Sequence, residues 1–308
     1  MIYDDAIREV SMKSIWIIVL AVLIVAASGA YFSFQPLQQS TYTPSILRIG
    51  VLPDQNLARL RTRISPLLDY LAEETGLEVK LTIASDYSHL LQLFGNNEVD
   101  MARFGGLGFV QANAFYHAKP LVMRDIDTRF VSWFLVREDS AVQSITDTQG
   151  KPFSFGNHLS TSGHLMPRHF LKINHQIVPE EFFSEVRYSS AHDETVYSIL
   201  NDEVALGSVN PIIVKEMIED GRLEPNALRI LWETPPYPDY VWAIHNTLES
   251  KMEVQLRNIF LALDPVNEQH IEILNNLHSS GFLPAGVHDF SLLKEIALSL
   301  GLLESSNQ

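Results

Sequence analysis

The chain of 308 residues contains no cysteine. Structural disulfides, thiolate metal sites, thiol catalysis and cysteine-linked lipid anchors are therefore excluded. Positive charge is also scarce, 22 Lys and Arg against 37 Asp and Glu, for a formal net charge of −15. A nucleic acid would meet a repelling field and no basic patch from which to displace counterions, so it is excluded as a partner. Glycine and proline, 15 of each, are too few for a collagen-like or low-complexity chain. What remains is a globular composition, 46% hydrophobic and 19% charged, long enough for two domains.

Charge is missing altogether from residues 14–34, SIWIIVLAVLIVAASGAYFSF. A hydrocarbon core of ~30 Å needs ~20 apolar residues in a helix, so this segment just spans a membrane. Arg8 and Lys13 precede it, and the next basic residue is Arg48. That asymmetry keeps residues 1–13 in the cytoplasm and exports everything after the segment. The small residues at 26–30 leave a cleaved signal peptide open as the competitor of an uncleaved transmembrane helix, which is our expectation. Either way the remainder is extracytoplasmic.

Residues 35–45, polar and with two prolines, read as a linker. A regular alternation follows. ILRIGVL (46–52) is a short run rich in branched residues, residues 64–75 carry apolar side chains at helical spacing, and residues 77–83 alternate like a strand. Residues 87–94 read as a helix and 101–104 as a strand running into Gly105 and Gly106. Later, 131–137, 150–156, 185–188, 204–209 and 228–232 read as strands, with helices over 164–172, 194–200 and 212–220 between them. After residue 234 the chain reads as mainly helical. Strand–helix alternation with short joins predicts β-α-β units and parallel sheets. Breaks near 138–140 and 233–238 divide it into lobe 1, residues 46–138 plus 234–308, and lobe 2, residues 139–233. Two crossings between two lobes make a hinge that closes on a ligand.

The chemistry concentrates in FGNHLSTSGHLMP (155–167). A strand end is followed by Ser160, Thr161 and Ser162 and then a helix. Three hydroxyls and unpaired N–H groups at a helix start make an anion pocket; the plain alternative is a Ser/Thr helix cap. His192 and Asp193 open a later helix after another strand. His192 could donate to an oxyanion, with Asp193 capping the helix or orienting the ring. Tyr87 also sits at a strand-to-helix junction, and open α/β sheets bind ligands at such carboxyl ends.

These segments occur in a characteristic order: GVLPD, SDYSHLL, the D-x-A-x-F-G of residues 100–105, F-G-x4-STSGHLMP, S-x-A-H-D around His192, and PPYPDY at 235–240. The chain so resembles the phosphonate, phosphite and phosphate-binding periplasmic receptors of ABC transporters, over roughly residues 46–303. The resemblance implies an α/β type II periplasmic-binding-protein fold, two α/β lobes joined by a two-strand hinge. It also implies that Ser160, Thr161, Ser162 and His192 hold the oxygens of a small phosphorus oxyanion. Tyr87 would add a donor, Asp239 or a neighbour would meet whatever the phosphorus carries, and Phe130 falls near a ligand-contacting Tyr. Arg103 stands where an aromatic is common, and Gly106 where a proline usually follows the glycine. An ABC permease is the implied partner of a monomer with no cofactor and no resident metal.

Three other readings compete. The fold could serve a membrane-tethered sensor or partner-binding module with altered or lost ligand. A Ser/His hydrolase would use Ser160 or Ser162 with His192, but no G-x-S-x-G surrounds them. A metal receptor would use His158, His164, His169 and His175, yet no H-E-x-x-H is present, and solvated or capping histidines are the plainer reading.

Overall fold

The computed structural model describes residues 41–303. The expected membrane segment, residues 14–34, lies outside them; among the described residues no helix is long and apolar enough to cross a membrane.

The first part alternates β1 (Ile46–Val51), α1 (Leu57–Thr75), β2 (Glu78–Ile83), α2 (Tyr87–Gly95), β3 (Met101–Phe104), α3 (Gly106–Tyr116) and β4 (Lys119–Arg124). In α1 the cause is plain. Leu60, Ile64, Leu67 and Leu71 recur at helical spacing and are buried, the Asn56 side chain accepts from the first N–H groups, and Gly76 ends the helix at φ 69°. The second part holds β5 (Trp133–Arg137), β6 (Pro152–Phe155), a π-helical turn (Thr161–Leu165) running into α4 (Met166–His175), then β7 (Glu185–Tyr188), α5 (His192–Leu200), β8 (Leu206–Val209), α6 (Pro211–Glu219) and β9 (Leu228–Glu233). The chain returns through β10 (Val241–Ile244), α7 (Ser250–Leu261), α8 (Glu268–Asn276), β11 (Phe282–Pro284) and α9 (Ser291–Ser299).

The strands form two sheets, β11-β4-β10-β3-β1-β2 and β7-β6-β8-β5-β9. β1 is parallel to β2 and β3, and β6 to β7 and β8, as β-α-β units require. β10 is antiparallel to β3 and β4, and β5 to β8 and β9. Each of these two is the strand that enters its sheet just after a crossing, and so arrives from the opposite end.

Two features depart from the sequence reading. First, β5 pairs with β8 and β9, so a lobe boundary at residue 138 would sever it from its own sheet. The crossing lies earlier, at residues 130–132, where it pairs with the returning strand. The Phe130 N–H donates to the Tyr237 carbonyl at 2.8 Å, the Tyr237 N–H to the Phe130 carbonyl at 2.9 Å, and the Ser132 N–H to Thr234 Oγ1 at 2.9 Å. Second, β4, β10 and β11 were not anticipated. β10 is four residues long and buried throughout, so no alternation marks it. Apolar side chains cover both faces of the first sheet, Ile49 and Met101 on one and Ala102 and Phe104 on the other. The latter cluster also takes in Leu165, Met166 and Phe170, so α4 is rooted in the apolar layer beneath the cleft.

Candidate functional site

Segments that follow β1, β2, β3, β6, β7 and β8 converge at the carboxyl ends of their strands. Ser160 caps the π-helical turn, its Oγ accepting the Gly163 N–H at 2.9 Å. The next N–H groups, of Thr161 and Ser162, have no acceptor one turn back and lie at the helix's positive end. Glycine is required twice in this loop. A Cβ on Gly163 would stand 2.9 Å from both the Gly156 Cα and the His192 ring, and one on Gly156 would stand 3.0 Å from the Gly163 Cα. Their absence lets His192 lie directly on the turn.

His192 is buried, and burial holds its pKa down at about 4. Its Nδ1 accepts the Asn210 backbone N–H at 3.2 Å, which assigns the ring proton to Nε2. Nε2 then points at Ser160 Oγ, 3.4 Å away. The ring is thus a neutral donor aimed at the cradle. This geometry does not suit a Ser/His nucleophile pair, because the nitrogen facing Ser160 already carries a proton and no carboxylate backs the ring.

The first sheet supplies the other wall. Tyr87, at the start of α2, lies beside Ser160, and its buried hydroxyl has no hydrogen-bond partner. Burial pushes that hydroxyl's pKa well up, so it stays a neutral donor. Asp239 Oδ1 accepts the Gly106 N–H at 3.0 Å at the start of α3, while Oδ2 is buried and unpaired. Burial raises the Asp239 pKa to about 7, against the Gly106 N–H and the Thr161 and Ser162 hydroxyls, which favour the ionised form. Thr161 Oγ1 accepts the Leu107 N–H at 2.9 Å, so its own proton is the one turned toward Asp239 and the cleft. Gly105 makes room: a Cβ there would stand 3.2 Å from Thr161 Oγ1.

The sheets are drawn together around this site. The His192 N–H donates to the Asp54 carbonyl at 3.1 Å, and the Asn56 N–H to Asp193 Oδ2 at 3.0 Å. Arg63 of α1 reaches Glu216, Glu219 and Asp220 around α6 at 3.3–3.6 Å. Asp193 therefore neither caps its helix nor orients His192; it joins the sheets, with Arg222 3.4 Å away.

Of the residues singled out in the sequence, Tyr87, Ser160, Thr161, Ser162, His192 and Asp239 come together. Phe130 lies in the crossing, its ring packed edge-on against Tyr237 and Tyr240. The histidines of the 158–175 stretch are not all solvated. His164 is buried, its Nδ1 bonded to the His158 carbonyl and Nε2 accepting from Arg168, and burial lowers its pKa to about 4. Among the described residues no group of three or more His, Asp or Glu is placed to hold a metal ion. Sequence reasoning missed Asp54, Asn210 and Tyr240. Asp54 and Asn210 each follow a strand and precede a helix, the same signal that marked Tyr87. Tyr240 donates to Asp54 Oδ2 at 2.8 Å and accepts from Asn210 Nδ2 at 3.2 Å.

Two mixed sheets, cross-connected twice and closed over a buried ring of neutral donors, define a cleft receptor for a small solute. A family model described as "ABC transporter, phosphonate, periplasmic substrate-binding protein" matches residues 49–290. The chain belongs to this family of periplasmic substrate-binding proteins. It is similar to the probable ABC transporter phosphite-binding protein of Prochlorococcus marinus, 28% identical over 270 residues that cover 83% of this chain and 90% of the relative. It is likewise similar to the phosphate-import protein of Mycolicibacterium smegmatis, 28% identical over 78% of each chain. The solved structure of the Prochlorococcus marinus protein in complex with methylphosphonate superposes with a TM-score of 0.79 at 28% identity, covering 85% of this chain and all of that one.

Proposed function

We propose that this protein captures a small phosphorus oxyanion (phosphonate, phosphite or phosphate) outside the cytoplasm and delivers it to an ABC permease. One observation carries the reading: hydroxyls of Ser160, Thr161 and Ser162, first-turn N–H groups, Nε2–H of a neutral His192 and the unpaired hydroxyl of Tyr87 converge in a buried cleft. Donors of that kind, at a helix start, suit an anion without needing a cation of their own. Asp239 adds an acceptor, so the preferred species carries a proton on one oxygen, or Asp239 itself is protonated. That relatives are described as binding phosphite, importing phosphate or holding methylphosphonate supports this ligand class.

The two lobes in this reading meet at residues 130–132 and 234–237, and the protein acts as a monomer that opens and closes there. Residues 14–34 tether it to the membrane. It has no catalytic role, since Ser160 faces a donor nitrogen rather than a base. A thermal-shift screen with phosphite, methylphosphonate, phosphate and sulfate tests the ligand class. Ligand at ~100 times its dissociation constant adds ~2.7 kcal/mol of stability. No shift with any phosphorus oxyanion overturns the proposal. Alkaline extraction of membranes tests the tether, which is refuted by full release.

A further inference from the structure

Arg103 sits at the carboxyl end of β3, its backbone in register with Val51 of β1 and Trp242 of β10. From there its guanidinium lies 4.1 Å over the Tyr240 ring, and Nη1 stands 3.7 Å from Asp54 Oδ2. The side chain is 11% exposed and Asp54 1%. Asp54 is in turn fixed at three points: the Tyr240 hydroxyl on Oδ2, the Arg103 charge, and the His192 N–H on its carbonyl. A guanidinium held by a stack, an ion pair and burial is a wall rather than a mobile surface side chain.

Behind this wall is a cavity between the sheets, of about 30 Å³. Asp54, Asn210 and Arg103 line it together with Arg63, Arg124 and Glu216, and Asp54 and Asn210 are the residues that also bond His192 of the cradle. That volume holds one or two waters, so it accommodates little beyond a methyl-sized group. Its charge is arranged against a cation. Three guanidiniums border it, and Glu216 and Asp54 are already committed to Arg63 and Arg103.

Resting on the reading of the cradle as an oxyanion site, we propose that Arg103 sets its specificity: anchored on Asp54 and Tyr240, it closes the inner end of the cleft and confines the ligand to an oxyanion bearing hydrogen, oxygen or methyl on phosphorus, excluding longer and aminoalkyl substituents. The group beyond the phosphorus meets the guanidinium and the Tyr240 ring before it reaches open space. A two-carbon amine would have to displace a buried ion pair and place its ammonium among arginines.

The full-length protein, titrated calorimetrically at pH 7 with phosphite, methylphosphonate, ethylphosphonate and 2-aminoethylphosphonate, tests this. The parent should bind methylphosphonate at least tenfold tighter than ethylphosphonate, and 2-aminoethylphosphonate weakest of all. Arg103→Ala should shrink the methyl-to-ethyl ratio at least fivefold. The double variant Asp54→Asn/Arg103→Ala, which leaves no buried carboxylate unpaired, should do the same. A parent that takes 2-aminoethylphosphonate as tightly as methylphosphonate overturns the proposal, whether or not the variants fold. Folded variants that keep the parent's ratios overturn it as well. Failure of the parent to bind any of the four instead refutes the oxyanion reading on which it rests.

Discussion

His192 offers the sharpest test of the site, because a hydrogen bond and burial both bear on its protonation state. Its Nδ1 accepts the Asn210 N–H, and burial holds its pKa at about 4. Protonating Nδ1 would set two N–H groups against each other, so an arriving anion cannot easily recruit the cation. Nε2–H is then a neutral donor to a charged oxygen. Such a bond is worth roughly 1.5–3 kcal/mol, so His192→Ala should weaken oxyanion binding about tenfold to a hundredfold. The same substitution leaves the Asn210 N–H without its acceptor, costing about 1–3 kcal/mol of fold stability, which a melting curve reads separately. His192→Gln should recover most of the affinity, since its amide can both donate and accept. The decisive measurement is calorimetric titration of parent and His192→Ala with methylphosphonate at pH 5.5, 7.0 and 8.5. The ligand's own ionisation is common to both proteins and cancels in the affinity ratio. A neutral histidine leaves that ratio the same at all three values. A ratio growing tenfold from pH 8.5 to 5.5 would show that His192 binds as the cation, and the tautomer argument would be wrong.

Three further outcomes are expected. The folded pKa of Asp239 is raised to about 7 by burial, so its contribution is intact below the ordinary carboxylate range and lost as pH rises through about 7; Asp239→Asn should therefore melt higher than the parent at pH 8 and alike at pH 4, with ~4 kcal/mol as the upper bound. A melting difference independent of pH would refute this. Thr161→Val should weaken binding about tenfold or more and Thr161→Ser little, because the hydroxyl both accepts from Leu107 and donates; equal affinities in titration would place Thr161 outside the site. Arg63→Gln, which removes the ion pairs to Glu216, Glu219 and Asp220 across the cleft, should raise the dissociation constant five- to thirtyfold, as the loss of about 1–2 kcal/mol of closed-state stability implies, and leave the scattering radius with ligand larger at subsaturating concentration. Unchanged affinity would make those pairs ornaments of the surface.

The proposed anion cradle was legible because its information is local. Ser160, Thr161, Ser162 and Gly163 are consecutive, stand between a strand and a helix, and need only their own backbone to present donors. His192 and Tyr87 were found through the same junction rule. What escaped depends on pairing far along the chain. Asp54 and Tyr240 are joined by a hydrogen bond across 186 positions, and neither residue type announces the other. The crossing was misplaced by several residues for a related reason. The VSWFLVR segment is a strand in any reading, and only its partners, β8 and β9, decide which sheet owns it. Asp193 looked like a cap because it follows a helix start, yet its acceptor role is to the Asn56 N–H on the other sheet.

For a chain of net charge −15 the proposed capture of an anion poses an electrostatic question, and the site answers it locally. Exposed charges are screened beyond ~8 Å at physiological ionic strength, so the surface field contributes little inside a closed cleft. Within it the charge nearly cancels. Asp54 faces Arg103, His192 is neutral, and Asp239 is largely uncharged below about pH 7. The donors are therefore hydroxyls, N–H groups and one imidazole, which attract an anion by direction rather than by net charge. Such a site gains little from charge alone and much from geometry. An ionised Asp239 Oδ2 accepts from an oxyanion that carries a proton, whereas a protonated Asp239 donates its own proton to an oxyanion that carries none. In the proposed reading Asp239 and the ligand share one proton between them, so the site selects by where that proton sits and by the direction of its donors rather than by net charge.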